Sequence, residues 1–296
     1  MLWNKSIFAK ENTFYLEYKL DSSNTLIETL TKENIAIFVV LKHIQSNNLF
    51  LCVCTHLLFN KNRGDIKLTQ IDLLSRTITC IKREYNNKIE NVILGCDLNS
   101  SPNSGIYDYI TKGKVDCLYV DRKQASGQFL CEFDFKGLKM FKECLRSKQN
   151  VHSEYAIESN REWFIWLKNT NIIMSRNKEK ITLVYNDDNN SDGKLMLVNE
   201  NKLTSAYWYI NTYYINTNRD LHINEDELNE NEITYYSEKY CGTFDYIFYS
   251  GNNITPKRKL FIPSFNSMYS NKSNIPNANH PSDHFILSID FELLFN

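Results

Sequence analysis

Glycine and proline are scarce in this chain, at 9 and 5 of 296 residues, and no stretch of either forms a linker. With no internal repeat visible, that argues against a string of modules and for one large layered domain. Neither sign of charge is in excess: 34 basic against 35 acidic side chains leave a net charge of -1. This excludes a protein held to nucleic acid mainly by an overall positive field, although a local basic groove stays open. Nothing after Met1 resembles the apolar core of a signal peptide, and no long uncharged apolar run occurs, so neither secretion nor membrane spanning is expected. The eight cysteines include no Cys-x-x-Cys pair, and Cys52, Cys54 and Cys96 sit within apolar strand-like runs, where a free thiol behaves as a small buried hydrophobe. The expectation is a reduced, soluble, intracellular protein without a disulfide-linked partner, cytoplasmic with the nucleus as the second compartment. Asn and Lys are abundant, a skew that an enzyme core does not require and that suggests a biased genome.

Periodicity then places the elements. Ile35-Ala36-Ile37-Phe38-Val39-Val40-Leu41 and Leu49-Phe50-Leu51-Cys52-Val53-Cys54 flank a polar turn at Gln45-Ser46-Asn47 and read as an antiparallel pair whose second strand delivers His56. After Arg63-Gly64, Asp65 reads as the cap of a helix with apolar positions at Leu68, Ile71, Leu74, Ile78 and Ile81. Val92-Ile93-Leu94-Gly95-Cys96 is a short continuous apolar run of the buried-strand kind, ending in Asp97-Leu98-Asn99. Ser104 is a fair N-cap for a short helix that Gly113 closes. The signal blurs from about Lys114 to Lys239, where a polar tip at Asn186 to Gly193 reads as a hairpin. Strands resume at Phe244 to Tyr249 and at Phe285 to Ile289. Strand, helix, strand and short helix in this order predict sheets covered by helices.

Three polar pieces, Cys54-Thr55-His56-Leu57-Leu58, Gly95-Cys96-Asp97-Leu98-Asn99 and Pro281-Ser282-Asp283-His284, lie where apolar runs meet loops. Together they have the acidic and imidazole character of a metal-dependent phosphodiesterase. Hydrolysing a phosphodiester near neutral pH needs a neutralised phosphate, an activated water and help for the departing oxygen, which Asp, Asn and His supply with a hard divalent cation. Strand alternation would put Asp97 and Asn99 on one face, the carboxylate for metal or water and the amide as donor to a phosphate oxygen. Asp283 and His284, being adjacent, point apart: Asp283 is expected to hold metal and His284 to face the phosphate, its tautomer set by Asp245. His56 is a second imidazole on the other side of the phosphate. Singly, each piece has an ordinary reading: a strand-end histidine, an Asx turn, a solvent-facing carboxylate and a cap before the last strand. Their coincidence in order tips the balance. Arg63-Gly64-Asp65 reads as a turn and cap, the Asp187 to Asp192 run lacks the glutamate of a calcium loop, and Trp163 and Trp166 read as core before they read as a base-stacking platform.

The blocks Thr55 to Gln70, Gly95 to Ser104, Phe244 to Ser250 and Ser282-Asp283-His284 resemble the endonuclease/exonuclease/phosphatase superfamily, and within it the Angel proteins, relatives of the cytoplasmic deadenylases and of nocturnin. The resemblance implies an α+β fold, a four-layer α/β/β/α sandwich, as a single domain over 1–296 with a divergent insertion at about 114–234. It further implies hydrolysis of RNA phosphate esters at 3' ends with magnesium, or manganese as a substitute. Two activities fit: a deadenylase-type 3' to 5' exoribonuclease and a 2',3'-cyclic phosphate phosphatase. By the same resemblance His284 and Asp245 form a catalytic pair, Asp97 and Asn99 handle water and phosphate, and Asp283 lies at the metal. Family members also carry an opening strand with an asparagine and a later strand ending in a metal-binding glutamate. The resemblance places the start of this chain after both, with N-terminal strands missing, and Glu11, Glu17, Glu28 and Glu33 are not persuasive replacements. Losing that carboxylate removes an anionic ligand from a hard cation. The alternative expectation is therefore a catalytically inactive RNA- or protein-binding remnant. A relative acting on phosphoinositides or DNA is a third reading, against which the long His56 to Gln70 block argues.

Overall fold

The computed structural model describes residues 1–18, 33–102, 104–118, 120–123, 125–128, 161–165, 167, 172–176, 179–183, 195–217, 233–237, 241–262 and 275–294. Alternating and continuous apolar runs make most of its strands: β1 (Phe8–Glu17), β2 (Ile35–His43), β3 (Leu49–His56) and β4 (Asn91–Asp97), with α1 (Gly64–Glu84) crossing between the last two. Then follow α2 (Gly105–Thr111), β5 (Lys114–Asp116), β6 (Ile172–Arg176), β7 (Glu179–Leu183), β8 (Met196–Val198), β9 (Thr204–Ser205), α3 (Ala206–Thr217), β10 (Tyr235–Tyr236), β11 (Cys241–Gly242), β12 (Asp245–Ser250), β13 (Ile254–Lys259) and β14 (Ile289–Leu293).

Eight strands form one mixed sheet in the order β7-β6-β1-β2-β3-β4-β12-β9. The β2–β3 hairpin closes as its sequence predicts, with Asn47 at φ 60 and its N–H donating to the His43 carbonyl at 2.9 Å. β3 and β4 run parallel, as a helical crossover requires, and β12 lies antiparallel on the far side of β4. One sheet face presents Ala36, Phe38, Val40, Leu51, Val53, Val92, Leu94, Tyr246 and Phe248 to α1 and α2, in a continuous core. Here α1 is buried from Gly64 through Thr79, so the stripe from Leu68 to Ile81 is only part of its covered surface. Trp163 belongs to this core, its indole N–H donating to Thr69 Oγ1 at 3.3 Å.

The helix start departs from expectation. Its N-cap is Arg63 with no side-chain cap, and Asp65 stands in the first turn, accepting from Arg63 Nε at 3.0 Å. The first N–H groups are satisfied by a neighbouring loop, Gly64 N donating to the Lys123 carbonyl and Asp65 N to that of Arg122. This close approach requires glycine, because a Cβ at Gly64 would lie 2.6 Å from Ala125 N. Gly64→Ala is expected to destabilise the fold by roughly 1–3 kcal/mol, read as a lower denaturation midpoint at unchanged m value. Ser104 does cap α2, its Oγ accepting from Tyr107 N at 3.1 Å.

Among the described residues, the second sheet face is covered at one end only. Val39, Leu41, Phe50 and Tyr249 pack there against Ala206 of α3 and Ile254 of β13, flanked by Ile289, Phe291 and Leu293 of β14. Among the described residues the β13–β14 ribbon is what stands for a second β layer. Exposure climbs along each strand toward the other end: Leu41 and Val39 are buried, Ile37 is half-buried and Ile35 is 56% exposed. Phe50, Cys52, Cys54 and His56 follow the same gradient.

The last strand falls later than expected. Phe285 to Ser288 carry scattered bonds, Phe285 N to the Thr234 carbonyl and Ser288 N to Tyr207 Oη, and the ladder begins at Ile289. Its partner β13 contains Pro256, and the register shifts between Pro256 and Arg258, where the missing N–H breaks the ladder. The hairpin expected at 186–193, Trp166 and Glu28 lie outside the described residues. Among the described residues no helix is long and apolar enough to cross a membrane, and Cys52, Cys54, Cys80, Cys96, Cys117 and Cys241 are free thiols.

Candidate active site

Register brings three polar side chains level at the end that the described residues leave uncovered. His56 of β3 pairs with Asp97 of β4, and Asp97 pairs with Asp245 of β12. Directly paired residues of neighbouring strands share a face, so one imidazole and two carboxylates stand in a row across three strand ends. One row back, Cys54, Gly95 and Ile247 are level with one another, and a Cβ built on Gly95 meets nothing within 4 Å. Among the described residues nothing covers this part of the sheet.

His284 arrives from a loop. Thr234 fixes it: the Thr234 carbonyl accepts from Phe285 N at 2.8 Å, while Thr234 Oγ1 accepts from Phe244 N at 2.9 Å and Asp245 N at 3.0 Å. One buried threonine thus ties the His284 loop to the start of β12. Tyr236 N donates to the Asp283 carbonyl, Tyr235 bridges His284, and the Tyr235 ring meets the imidazole edge-on at 5.0 Å. The result is a 2.8 Å hydrogen bond between His284 Nδ1 and Asp245 Oδ2. With Nδ1 donating, Nε2 is the ring atom left to exchange a proton. Asp97, Asp245 and His284 each offer a ligand atom, all within 4.8 Å of one another.

Asp283 stands outside that group. Across a bridge such as Tyr235 to His284, neighbouring side chains take opposite faces, so the register that aims His284 at Asp245 turns Asp283 away. The carboxylate expected merely to orient His284, Asp245, is the second acid of the cluster. Asn99 also differs from expectation. Its φ of 47 breaks the strand alternation, and it turns inward, 4% exposed. Nδ2 donates to the Leu57 carbonyl at 3.1 Å and meets His56 Nε2 at 3.0 Å, while its backbone N–H donates to Asp97 Oδ1 at 2.8 Å. The amide expected to reach a phosphate oxygen thus spends its hydrogens inside the protein. His56, its side chain 64% exposed, places Nε2 between Asn99 Nδ2 and Asp97 Oδ2, the latter at 3.3 Å.

Electrostatics follow from the crowding. Burial, then the Asp245 carboxylate, push the Asp97 carboxyl above its ordinary value, against the Asn99 N–H and both imidazoles. The hydrogen bond to Asp245 raises His284 above its ordinary 6.5, against burial, with Asp97 and Asp283 adding to the rise. A carboxylate whose ionisation is disfavoured by burial and a neighbouring acid suits a cation beside it, and two carboxylate oxygens beside an imidazole are a fitting donor set for a divalent ion. For the sign, a raised imidazole pKa adds stability that is fully present below pH 6.5 and is lost as pH rises through the native value. Asp245→Asn is expected to lower the His284 pKa and flatten that part of the stability profile, read by NMR titration and denaturation across pH.

Residues that the sequence reading passed over complete the setting. Gln70, one turn beyond Lys67 on α1, accepts from Leu58 N through Oε1 at 3.0 Å and donates through Nε2 to Asn34 Oδ1. Asn34 Nδ2 in turn donates to the His56 carbonyl at 3.0 Å. A lysine and a glutamine three apart within a buried helix face were the available signal.

Comparison with known proteins agrees with this architecture. The crystal structure of ANGEL2, a 2',3'-cyclic phosphatase, superimposes with a TM-score of 0.65 at 21% identity, over 97% of this chain and 68% of that one. No family model matches the chain. In sequence, Carbon catabolite repressor protein 4 homolog 5 of Arabidopsis thaliana is 27% identical over 236 residues, 79% of this chain and 44% of that protein. Human Protein angel homolog 2 is 37% identical over 79 residues, 26% of this chain and 14% of that protein. The chain spans half or less of the length of these curated relatives. The fold is an α+β architecture of the kind seen in ANGEL2. The sequence likeness to Angel proteins is confined to about a third of the chain, 31% identical to Protein angel homolog 2 of Bos taurus over 105 residues.

Proposed function

We propose that this chain hydrolyses phosphate esters at the 3' ends of RNA, with a 2',3'-cyclic phosphate as the substrate that its Angel-like character favours. The observation that carries the reading is the meeting of His56, Asp97, Asp245 and His284 at one edge of the sheet. Water attacks phosphorus, one P–O bond breaks, and the departing ribose oxygen takes up a proton. His284, its Nδ1 held by Asp245, moves that proton at Nε2. His56 presents Nδ1–H to a phosphate oxygen, because its Nε2 is engaged by Asn99. Asp97 and Asp245 would hold a divalent cation, magnesium or manganese, which when bound would neutralise phosphate charge. Supplying purified protein with RNA ending in a cyclic phosphate or in a poly(A) tail tests the reading. Turnover of the cyclic end that is lost on chelation and restored by magnesium is expected. Absence of product from either RNA at saturating magnesium would refute it.

A second reading has its own support. Among the described residues no glutamate joins Asp97, Asp245 and His284, and Ile35 is exposed on the same sheet face. A non-catalytic binder of RNA or protein fits those two facts. It predicts magnesium-independent retention of RNA with no product, and robust turnover excludes it.

A further inference from the structure

Lys67 lies on α1 beneath the site with no exposed surface. Its Nζ donates to the Asn99 carbonyl at 2.8 Å and to Gln128 Oε1. Burial pushes this amine down to about 7 against the pull of Asp97, and in either protonation state it retains the two N–H groups that these bonds use. The lysine nitrogen donates to the Gln128 oxygen, which therefore is the end that faces it. Gln128 Nε2 is then the donor to Asn99 Oδ1, at 3.0 Å. That leaves Asn99 Nδ2 as the donor end of its own amide, consistent with its 3.1 Å bond to the Leu57 carbonyl, an obligate acceptor. The second Nδ2 hydrogen meets His56 Nε2 at 3.0 Å, so this ring nitrogen must accept and the imidazole hydrogen resides on Nδ1.

We infer that Lys67 is a positioning residue which, through Gln128 and Asn99, holds His56 in the Nδ1–H tautomer and so keeps an N–H donor free for the substrate. An opposing pull makes such a device necessary. Asp97 Oδ2 lies 3.3 Å from His56 Nε2 and would draw the ring hydrogen to that nitrogen if nothing donated to it. With the relay intact the Asn99 N–H occupies the lone pair of Nε2. With the relay cut, the Asn99 amide keeps only the Leu57 carbonyl to orient it, and the Asp97 carboxylate competes for the ring hydrogen. The tautomer claim is independent of the proposed function. Only the use of Nδ1–H on a phosphate oxygen rests on that reading.

The test is 15N NMR of histidine-labelled full-length chain, above the pH range where imidazole is charged, with His56 assigned among the 6 histidines by His56→Gln. The wild type is expected to show Nδ1–H at His56. Lys67→Met, with circular dichroism confirming the fold, is expected to shift His56 measurably toward Nε2–H, the Leu57 carbonyl still opposing a complete turnover of Asn99. Turnover should fall about tenfold or more with KM changed less than twofold, as for the loss of an outer hydrogen-bonding partner. Gln128→Glu retains a partner for Lys67 but donates nothing to Asn99, so it should produce the same shift and decides the matter if Lys67→Met fails to fold. An unchanged His56 tautomer in a folded variant of either kind overturns the inference. A shifted tautomer in a chain that turns over no RNA upholds it and refutes the proposed function. Turnover with an unshifted tautomer does the reverse.

Discussion

Asp97→Asn is expected to lower turnover of an RNA cyclic phosphate by about 10³-fold while leaving the protein as stable as the wild type, or more so. The substitution keeps an oxygen for the Asn99 N–H, so the turn after β4 survives, and it removes only the charge. That charge is disfavoured in the fold, because burial and Asp245 raise the Asp97 pKa above its ordinary 3.8. A raised carboxyl pKa means the native state binds more protons than the unfolded state, so this group's contribution to stability falls as pH rises from 3.8 through the raised native value. Above the native value the penalty is present in the wild type and absent in Asp97→Asn. Activity and melting temperature should therefore move in opposite directions. A matched loss of both would assign Asp97 a structural role.

His284→Ala should show the converse pattern in stability with a comparable loss in rate. Removing a group that transfers a proton costs roughly 10²–10⁴-fold in turnover. The same change leaves the Asp245 carboxylate facing Asp97 without its imidazole partner and deletes the ring against Tyr235. Stability is then expected to drop most below pH 6.5, where the contribution of the raised pKa is present in full, and the difference should narrow as pH rises to the part due to the lost ring contact. Denaturant midpoints measured across pH for the two variants separate these opposite signs. If His284→Ala turns over RNA at the wild-type rate, proton transfer belongs to another group.

Much of this arrangement was readable before any coordinates. The apolar runs that end in His56 and Asp97, and the one that Asp245 enters, announce strands, and each of these residues stands at a strand terminus. What alternation cannot express is which strands become neighbours. That Asp97 stands level with both His56 and Asp245 follows from a parallel pairing across α1 and an antiparallel one with a strand about 150 residues later in sequence. Alternation misleads at Asn99, because a residue at φ 47 leaves the strand and reverses the face. It misplaces the last strand as well, since Phe285 to Leu287 are apolar enough to read as a strand although Ile286 is 73% exposed. Thr234 and Lys67 left little trace in the sequence. A threonine before two tyrosines and a lysine on a helix are ordinary in composition, and their weight comes from burial and from partners distant along the chain.

The most direct measurement is a crystal structure of this chain with adenosine-2',3'-vanadate, a mimic of the cyclic phosphate in the act of being attacked. The account predicts vanadium seated between Asp97 and His284, with His56 Nδ1 about 3 Å from a vanadate oxygen and Asn99 still turned inward. Vanadate bound elsewhere on the surface, with His56 and His284 both out of its reach, would contradict it.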